Sequence, residues 1–271
     1  YKKWFPCNKG GEFCKWYGNQ EYVVNWENDG KEIREYVDEK GKQRSRPQNI
    51  DYYFKPSISW SRITSSFNSF RFYPKGFIFD QAGHSIFSND TLVNIAYLNS
   101  KFCSFILNVM NPTMNLEVGY IQSIPAATES FSEKTSSILI DIAKADWDSY
   151  ETSWDFTQNP IIGMNKPNLE QAFNTWQQQN SDAVAEMKRL EEENNKLFID
   201  AYGLQDELTP DVPDEQITLT RADREKDSQR LVSYALGCMM GRYSLDEPGL
   251  IYAHAGNQDF DASRYQTFPA D

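Results

Sequence analysis

Residues 169–204 read "LEQAFNTWQQQNSDAVAEMKRLEEENNKLFIDAYGL". Leu169, Phe173, Trp176, Asn180, Ala183, Met187, Leu190, Asn194, Leu197, Ala201 and Leu204 follow one another at alternating steps of four and three. That is the spacing of a coiled-coil seam rather than of a broad amphipathic face. It predicts one continuous helix about 54 Å long at 1.5 Å per residue. Asn180 and Asn194 share a heptad position, where a polar group fixes register at some cost in stability. A bare apolar seam of this length is an aggregation hazard. The expectation is therefore that it packs on helices of the same chain, at 129–150 or 221–241. The second of these offers a stripe of Leu231, Ala235 and Cys238 or Met239.

On the C-terminal side, "ELTPDVPDEQ" interrupts the helix with two prolines. Thr220 and Asp223 resemble a capping box that opens "RADREKDSQRLVSYALGCMM", and Gly241 closes it. The tail 244–271 reads as loop apart from the apolar "GLIYA". On the N-terminal side, 155–168 reads as a linker from its Pro, Gly and Asn content. "SNDTLVNIAYLNSKFCSFILNVM" reads as helix, capped by Asn89 or Asp90, with Leu92, Ile95, Ala96, Asn99 and Phe102 inward. "NPTMNLEVGYIQSIPA" returns to strand and turn. Between 50 and 88 lie short strands at "DYYF", "SISWSRI", "SFRFYP", "GFIFD" and "HSIFS". Before them come a strand in "EYVVNW" and a helix in "ENDGKEIREYVDEKGK" that stops at Gly41. The fold class is α+β. A small mixed-sheet domain occupies 1–125. A helical spacer with the long coiled-coil-like helix follows at 126–208, then a C-terminal helical segment and tail at 209–271.

Charge is divided unevenly. The 271 residues carry a net charge of −12, yet residues 40–75 hold eight Lys/Arg against Asp51 alone, or +7. Residues 76–271 carry −17. Such asymmetry points to a polyanion-binding part joined to a differently employed part. The same window holds eight aromatic rings, and rings, amides and hydroxyls meet bases and sugars where cations meet phosphates. Alternation in "SFRFYP" puts Phe70 and Phe72 on one face of a strand and Arg71 on the other. The structural alternative for these rings is an aromatic core beneath an exposed strand face.

No catalytic constellation stands out. Asp38-Glu39-Lys40 with Asp29 has the residue types of a metal-dependent nuclease, but it lies in a charged helix end, where a solvated terminus is the simpler reading. "NPTM" at 111–114 lacks the second Pro and the aromatic residue of the adenine-methyltransferase loop. No glycine-rich fingerprint follows a strand, and Ser, His and Cys form no nucleophile arrangement. Cys7 and Cys14 are too far apart for a standard zinc pair, and His84 and His254 are the sole imidazoles. The four cysteines read as buried free thiols, which fits a cytoplasmic location. No apolar run reaches the length of a membrane span. The sequence opens without Met and in mid-pattern, as a piece of a longer protein does.

Several long strings resemble one family. They are "KWYGNQEYVVNWENDGKEIREY", "QRSRPQNIDYYFKPSISWSRI", "FRFYPKGFIFDQAGHSIF", "YLNSKFCSFILNVMNPTMNLEVGYIQSIP" and "LVSYALGCMMGRYSLDEPGLIY". They look like the C-terminal half of the PglX family, the adenine-specific DNA methyltransferases of BREX phage-defence systems. The "LNS" helix and "YIQSIP" are also similar to target-recognition domains of Type I specificity subunits. The resemblance implies that 1–125 is a target-recognition domain reading double-stranded DNA. It also implies that the parent protein methylates N6 of adenine with S-adenosylmethionine. The catalytic half is absent, so this chain is expected to bind no cofactor and to do no chemistry alone. Lys42, Arg44, Arg46, Lys55, Arg62, Arg71 and Lys75 are the expected contacts to phosphates or bases. Gln43, Gln48, Asn49, Ser59 and Ser61 are the expected readers of base edges. Expected partners are DNA, the catalytic half, other BREX components and a phage-encoded acidic DNA mimic. The competing function is a protein-interaction scaffold that docks through the helical region without touching DNA.

Overall fold

The computed structural model describes residues 3–64, 67–125, 133–254, 256 and 258–270. The fold is α+β, with six strands in two three-stranded sheets and eight helices among the described residues. The chain forms two compact units. One contains Tyr1–Ala143 and Met187–Thr218, the other Lys144–Glu186 and Leu219–Asp271.

In the first unit, β1 (Trp4–Asn8) pairs antiparallel with β2 (Tyr22–Asn25). Its other edge takes the two-residue β5 (Ile78–Phe79) in parallel. The second sheet is antiparallel throughout. β3 (Ser57–Ser61) is central, flanked by β4 (Phe70–Tyr73) and β6 (Gly83–Ile86). Asn8 ties the two sheets together: its Nδ2 donates to Ser59 Oγ at 2.5 Å and to Gly83 O at 3.2 Å. A Cβ at Gly83 would stand 2.5 Å from Asn8 Oδ1, so glycine is required there.

The expected strand "DYYF" is instead a short 3-10 turn, Ile50–Tyr52, entered from a left-handed Asn49. The expected helix before Gly41 shortens to α1 (Glu27–Arg34). Asn28, Asp29 and Gly30 in it have φ of 51°, 57° and 71°, the left-handed values that Asn, Asp and Gly tolerate best. Tyr36–Arg44 then folds back as a hairpin. Asp38 closes it by accepting from the backbone of Lys40 and Lys42.

The apolar run from 91 divides into α2 (Thr91–Leu98) and α3 (Lys101–Met110). Ser100 caps α3 by accepting from Cys103 N, which ends the preceding helix at Asn99. Asn99 exchanges two hydrogen bonds with the backbone of Phe70, at 3.0 and 2.9 Å, and so joins this helix pair to β4. The segment expected to be strand and turn carries α4 (Val118–Ser123). Part of the extended reading survives before it, where Ile63 bridges Asn115. The helix expected at 129–150 is α5 (Glu133–Asp148), its first residues lying outside the described residues.

The long helix, α7, spans Leu169–Ala201 as one element. In the first unit it buries Met187, Leu190, Glu191, Asn194, Asn195, Phe198 and Ile199. This face is broader than the seam, because it packs on several elements rather than on one parallel partner. Asn194 donates to Ala96 O at 2.9 Å. Asn195 accepts from Lys101 N at 2.8 Å and donates to Pro210 O at 3.0 Å. Glu191 forms a buried ion pair with Lys15 and accepts from Trp16 Nε1 at 2.7 Å.

In the second unit, the stretch read as linker contains α6 (Pro160–Gly163), capped by Asn159. Trp176 and Ala172 of α7 pack with Ile161 and the half-buried Ala222. Asn180 donates to Thr220 O at 2.7 Å and accepts from Ala222 N at 3.0 Å. The residue that caps α8 (Arg224–Met239) is Asp223, three positions beyond the expected Thr220. The hydroxyl of Thr220 is taken by Asp146 Oδ2 at 3.2 Å. Gly241, at φ 72°, ends α8 as expected. The tail is not loose: Tyr265 is buried and donates to Gly241 O at 2.6 Å, and Asp246 accepts from the backbone of Gln266 and Thr267.

Candidate nucleic-acid interface

The side chains expected to meet DNA separate into three groups. Ser59 and Arg71 are fully buried, which corrects their reading as surface contacts. Ser59 Oγ accepts from Asn8 and donates to His84 O at 2.7 Å. Arg71 Nη2 donates to Ser61 Oγ at 3.1 Å and Nη1 reaches Cys14 O and Ser69 Oγ at 3.4 Å. The free edge of β4 is closed by the segment around Trp16, which bridges Arg71 and bonds the backbone of Phe70 and Phe72 on either side of it. Alternation marked the two faces correctly and could not show that both are covered.

The second group is exposed or half-buried but engaged, and in it Gln43 Nε2 donates to Arg34 O at 2.9 Å and Ser61 Oγ to Gly11 O at 2.6 Å. Arg44 makes a two-point contact with Asp38, its Nε and Nη2 each 2.8 Å from Oδ2. Three backbone and side-chain donors (Lys42 N foremost, then Arg44 and Lys40 N) hold the Asp38 carboxyl below its usual range. Asp38 is thus a structural turn residue, and the described residues contain no metal-holding cluster of His, Cys, Asp and Glu. Arg62 pairs with Glu117 at 2.8 Å. Lys55 lies over the ring of Tyr52, 4.9 Å from its centroid.

The third group is free. Among the described residues, Lys42, Arg46 and Lys75 make no ion pair, and the side chains of Gln48 and Asn49 are unbonded. Arg46, Gln48 and Asn49 line two adjoining depressions. One, of about 540 Å³, also takes Arg34 and Gln43. The other is a cavity of about 640 Å³ floored by Trp26, Tyr53 and Ile78 and bounded opposite the loop by Asp80, Gln81, His84 and Ser85. Asp80 and Gln81 border in turn a third depression with Lys9, Ser61 and Arg62. Shared lining residues make the three a continuous track. Lys55 and Lys75 line none of them.

Burial sets the protonation of the cavity wall. It pushes the Cys7 thiol up to about 11, with Asp80 adding to the effect, so the thiol stays protonated. Burial lowers the pKa of His84 against the opposing pull of Glu117, 3.8 Å away, and favours neutral imidazole. His84 Nε2 is buried without a hydrogen-bond partner, and the ring stacks on Trp60 at 5.4 Å. Sequence reading missed Arg34, Lys9, Trp26, Asp80, Gln81 and His84 as parts of this surface. The β1–β2, β1–β5 and β3–β6 pairings bring Lys9, Trp26, Asp80, Gln81 and His84 to it, and Gln43, donating to Arg34 O at 2.9 Å, holds Arg34 beside the loop; spacing along the chain carries no trace of the strand pairings.

No protein-family model matches the chain. Along 98% of its length it is 42% identical to the adenine-specific methyltransferase PglX of Lacticaseibacillus casei strain Zhang. Along 99% it is 35% identical to the adenine-specific methyltransferase BrxX of Escherichia coli O9:H4 strain HS. It spans 23% and 24% of the length of these two relatives.

Proposed function

Since this chain belongs, as one segment, to the PglX family of adenine-specific methyltransferases, we propose that it supplies sequence-specific recognition of double-stranded DNA for such an enzyme in BREX phage defence. The observation that carries this reading is the track of three depressions, which gathers Arg34, Arg46, Arg62 and Lys9 with the free amides of Gln48, Asn49 and Gln81. Cations hold phosphates and amides read base edges, so one continuous surface offers both contacts that specific recognition needs. Lys42, Lys55 and Lys75 add charge outside the track. Arg44 keeps its guanidinium half exposed while bound to Asp38.

Methyl transfer and S-adenosylmethionine belong on this reading to the rest of the enzyme. The glycine pair after β1, Gly10-Gly11, leads into no helix, so the strand–turn–helix cradle that such a cofactor uses does not form there. An acidic protein that imitates DNA would compete for the same track.

A second reading, docking of a protein partner through the helical part, is favoured by the exposed Val232, Leu236, Met239 and Met240 of α8 and its end. Duplex DNA retention at low salt separates the two. The expected result is retention by the chain, with the slope of log K against log salt falling by about 0.9 in Arg46→Ala. Retention absent at low salt, or unaltered in Arg46→Ala, would favour the docking reading.

A further inference from the structure

The cavity under the 45–49 loop has properties that phosphate binding does not require. Its floor is the apolar cluster of Trp26, Tyr53 and Ile78, with Phe79 packed beside it. Tyr53 meets Trp26 and Phe79 edge-on, each at 5.1 Å between ring centroids. Its volume of about 640 Å³ is that of a small-molecule site. The rim is polar and open for bonding. Gln48 and Asn49 offer unbonded amides on one side, and the side chains of Asp80 and Gln81 line the other.

Charge narrows the ligand. Arg46 and Asp80 bring opposite charges to the cavity wall, while burial keeps the Cys7 thiol protonated and His84 neutral. The interior therefore favours a flat, uncharged group with donors and acceptors along its edge. The adjoining depression, where Arg34 joins Arg46, favours an anion instead. We infer that the cavity receives a single unstacked nucleobase, whose phosphate stays outside over Arg34 and Arg46. This deepens the reading of the chain as a DNA-binding segment and rests on it for one of two sources, a base turned out of bound DNA or a free nucleotide.

The test titrates the 271-residue chain with each of the four nucleoside 5′-monophosphates and follows saturation transfer by NMR. At least one should bind. Ser45→Trp, which fills the cavity, and Gln48→Ala, which removes a rim amide, should each weaken it about tenfold or more, with circular dichroism unchanged. A duplex carrying 2-aminopurine then assigns the source. A rise in fluorescence with the wild-type chain and none with Ser45→Trp means a base from DNA; monophosphate binding without that rise means free nucleotide. Absence of binding at about 10 mM monophosphate, or wild-type affinity in both variants, overturns the inference. DNA retention without monophosphate binding overturns it alone. Monophosphate binding without DNA retention upholds it and removes the DNA reading instead.

Discussion

Arg46 and Arg71 are the same residue type in the same basic window, and their environments assign them opposite work. Arg46 is exposed and free of ion pairs, while Arg71 is sealed among Ser61, Ser69 and the Cys14 carbonyl. Glu191 shows the same principle for an acid. It sits at 3% exposure with Lys15 at 7%, so Glu191→Gln leaves an ammonium buried without its counter-ion. That should cost about 3–5 kcal/mol, read as a lower urea midpoint at unchanged slope. Asp146 gives a pH signature. Burial raises its pKa to about 6, against the pull of the Thr220 hydrogen bonds and of Arg221 and Arg230. A raised acid binds its proton more tightly in the folded state, so its stabilising effect is full below the unfolded value and is lost as pH rises toward about 6. Asp146→Asn retains a carbonyl acceptor for Thr220 and should flatten the decline in thermal stability between about pH 4 and 6. An unchanged pH profile would show that another group governs it.

At the scale of the element, α7 explains why a strict heptad is an incomplete guide. Trp176, Asn180, Met187, Leu190 and Asn194 are buried as the seam requires, whereas Leu169 and Ala201 are exposed. The two seam asparagines bond to loop and helix backbone and not to each other's kind. In a coiled coil, replacing an a-position Asn by an apolar residue raises stability. Here Asn180→Leu strands the Thr220 carbonyl and the Ala222 amide, and should destabilise by about 1–3 kcal/mol. Chemical denaturation decides between the two, and a gain in stability would restore the coiled-coil role. The split between α2 and α3 has a similarly local cause: Ser100 offers the next helix a cap, and Asn99 spends its amide on the backbone of β4.

At the scale of the whole molecule, the first unit is discontinuous, since it needs Met187–Thr218 to complete what Tyr1–Ala143 begins. A fragment ending near residue 143 lacks the partners of Lys15, Trp16, Ala96 and Lys101. It should be more readily cleaved by protease than the full chain at equal concentration; equal resistance would mean that the sheets stand alone. If the chain is the reading segment alone, the purified protein given duplex DNA and labelled S-adenosylmethionine should transfer no methyl group, and incorporation of label would overturn that assignment. Much was settled by local pattern: the α+β class, β2 to β6 in outline, the long helix and the Gly241 stop. Those depend on propensity and on neighbours within a turn or two, which order along the chain records. What tertiary structure alone decided was which charges face water and where the cavity lies. Burial of Arg71, the pairing of Lys15 with Glu191 and the gathering of Trp26, Tyr53, Asp80 and His84 all depend on segments far apart in sequence, and nothing in local spacing encodes that meeting.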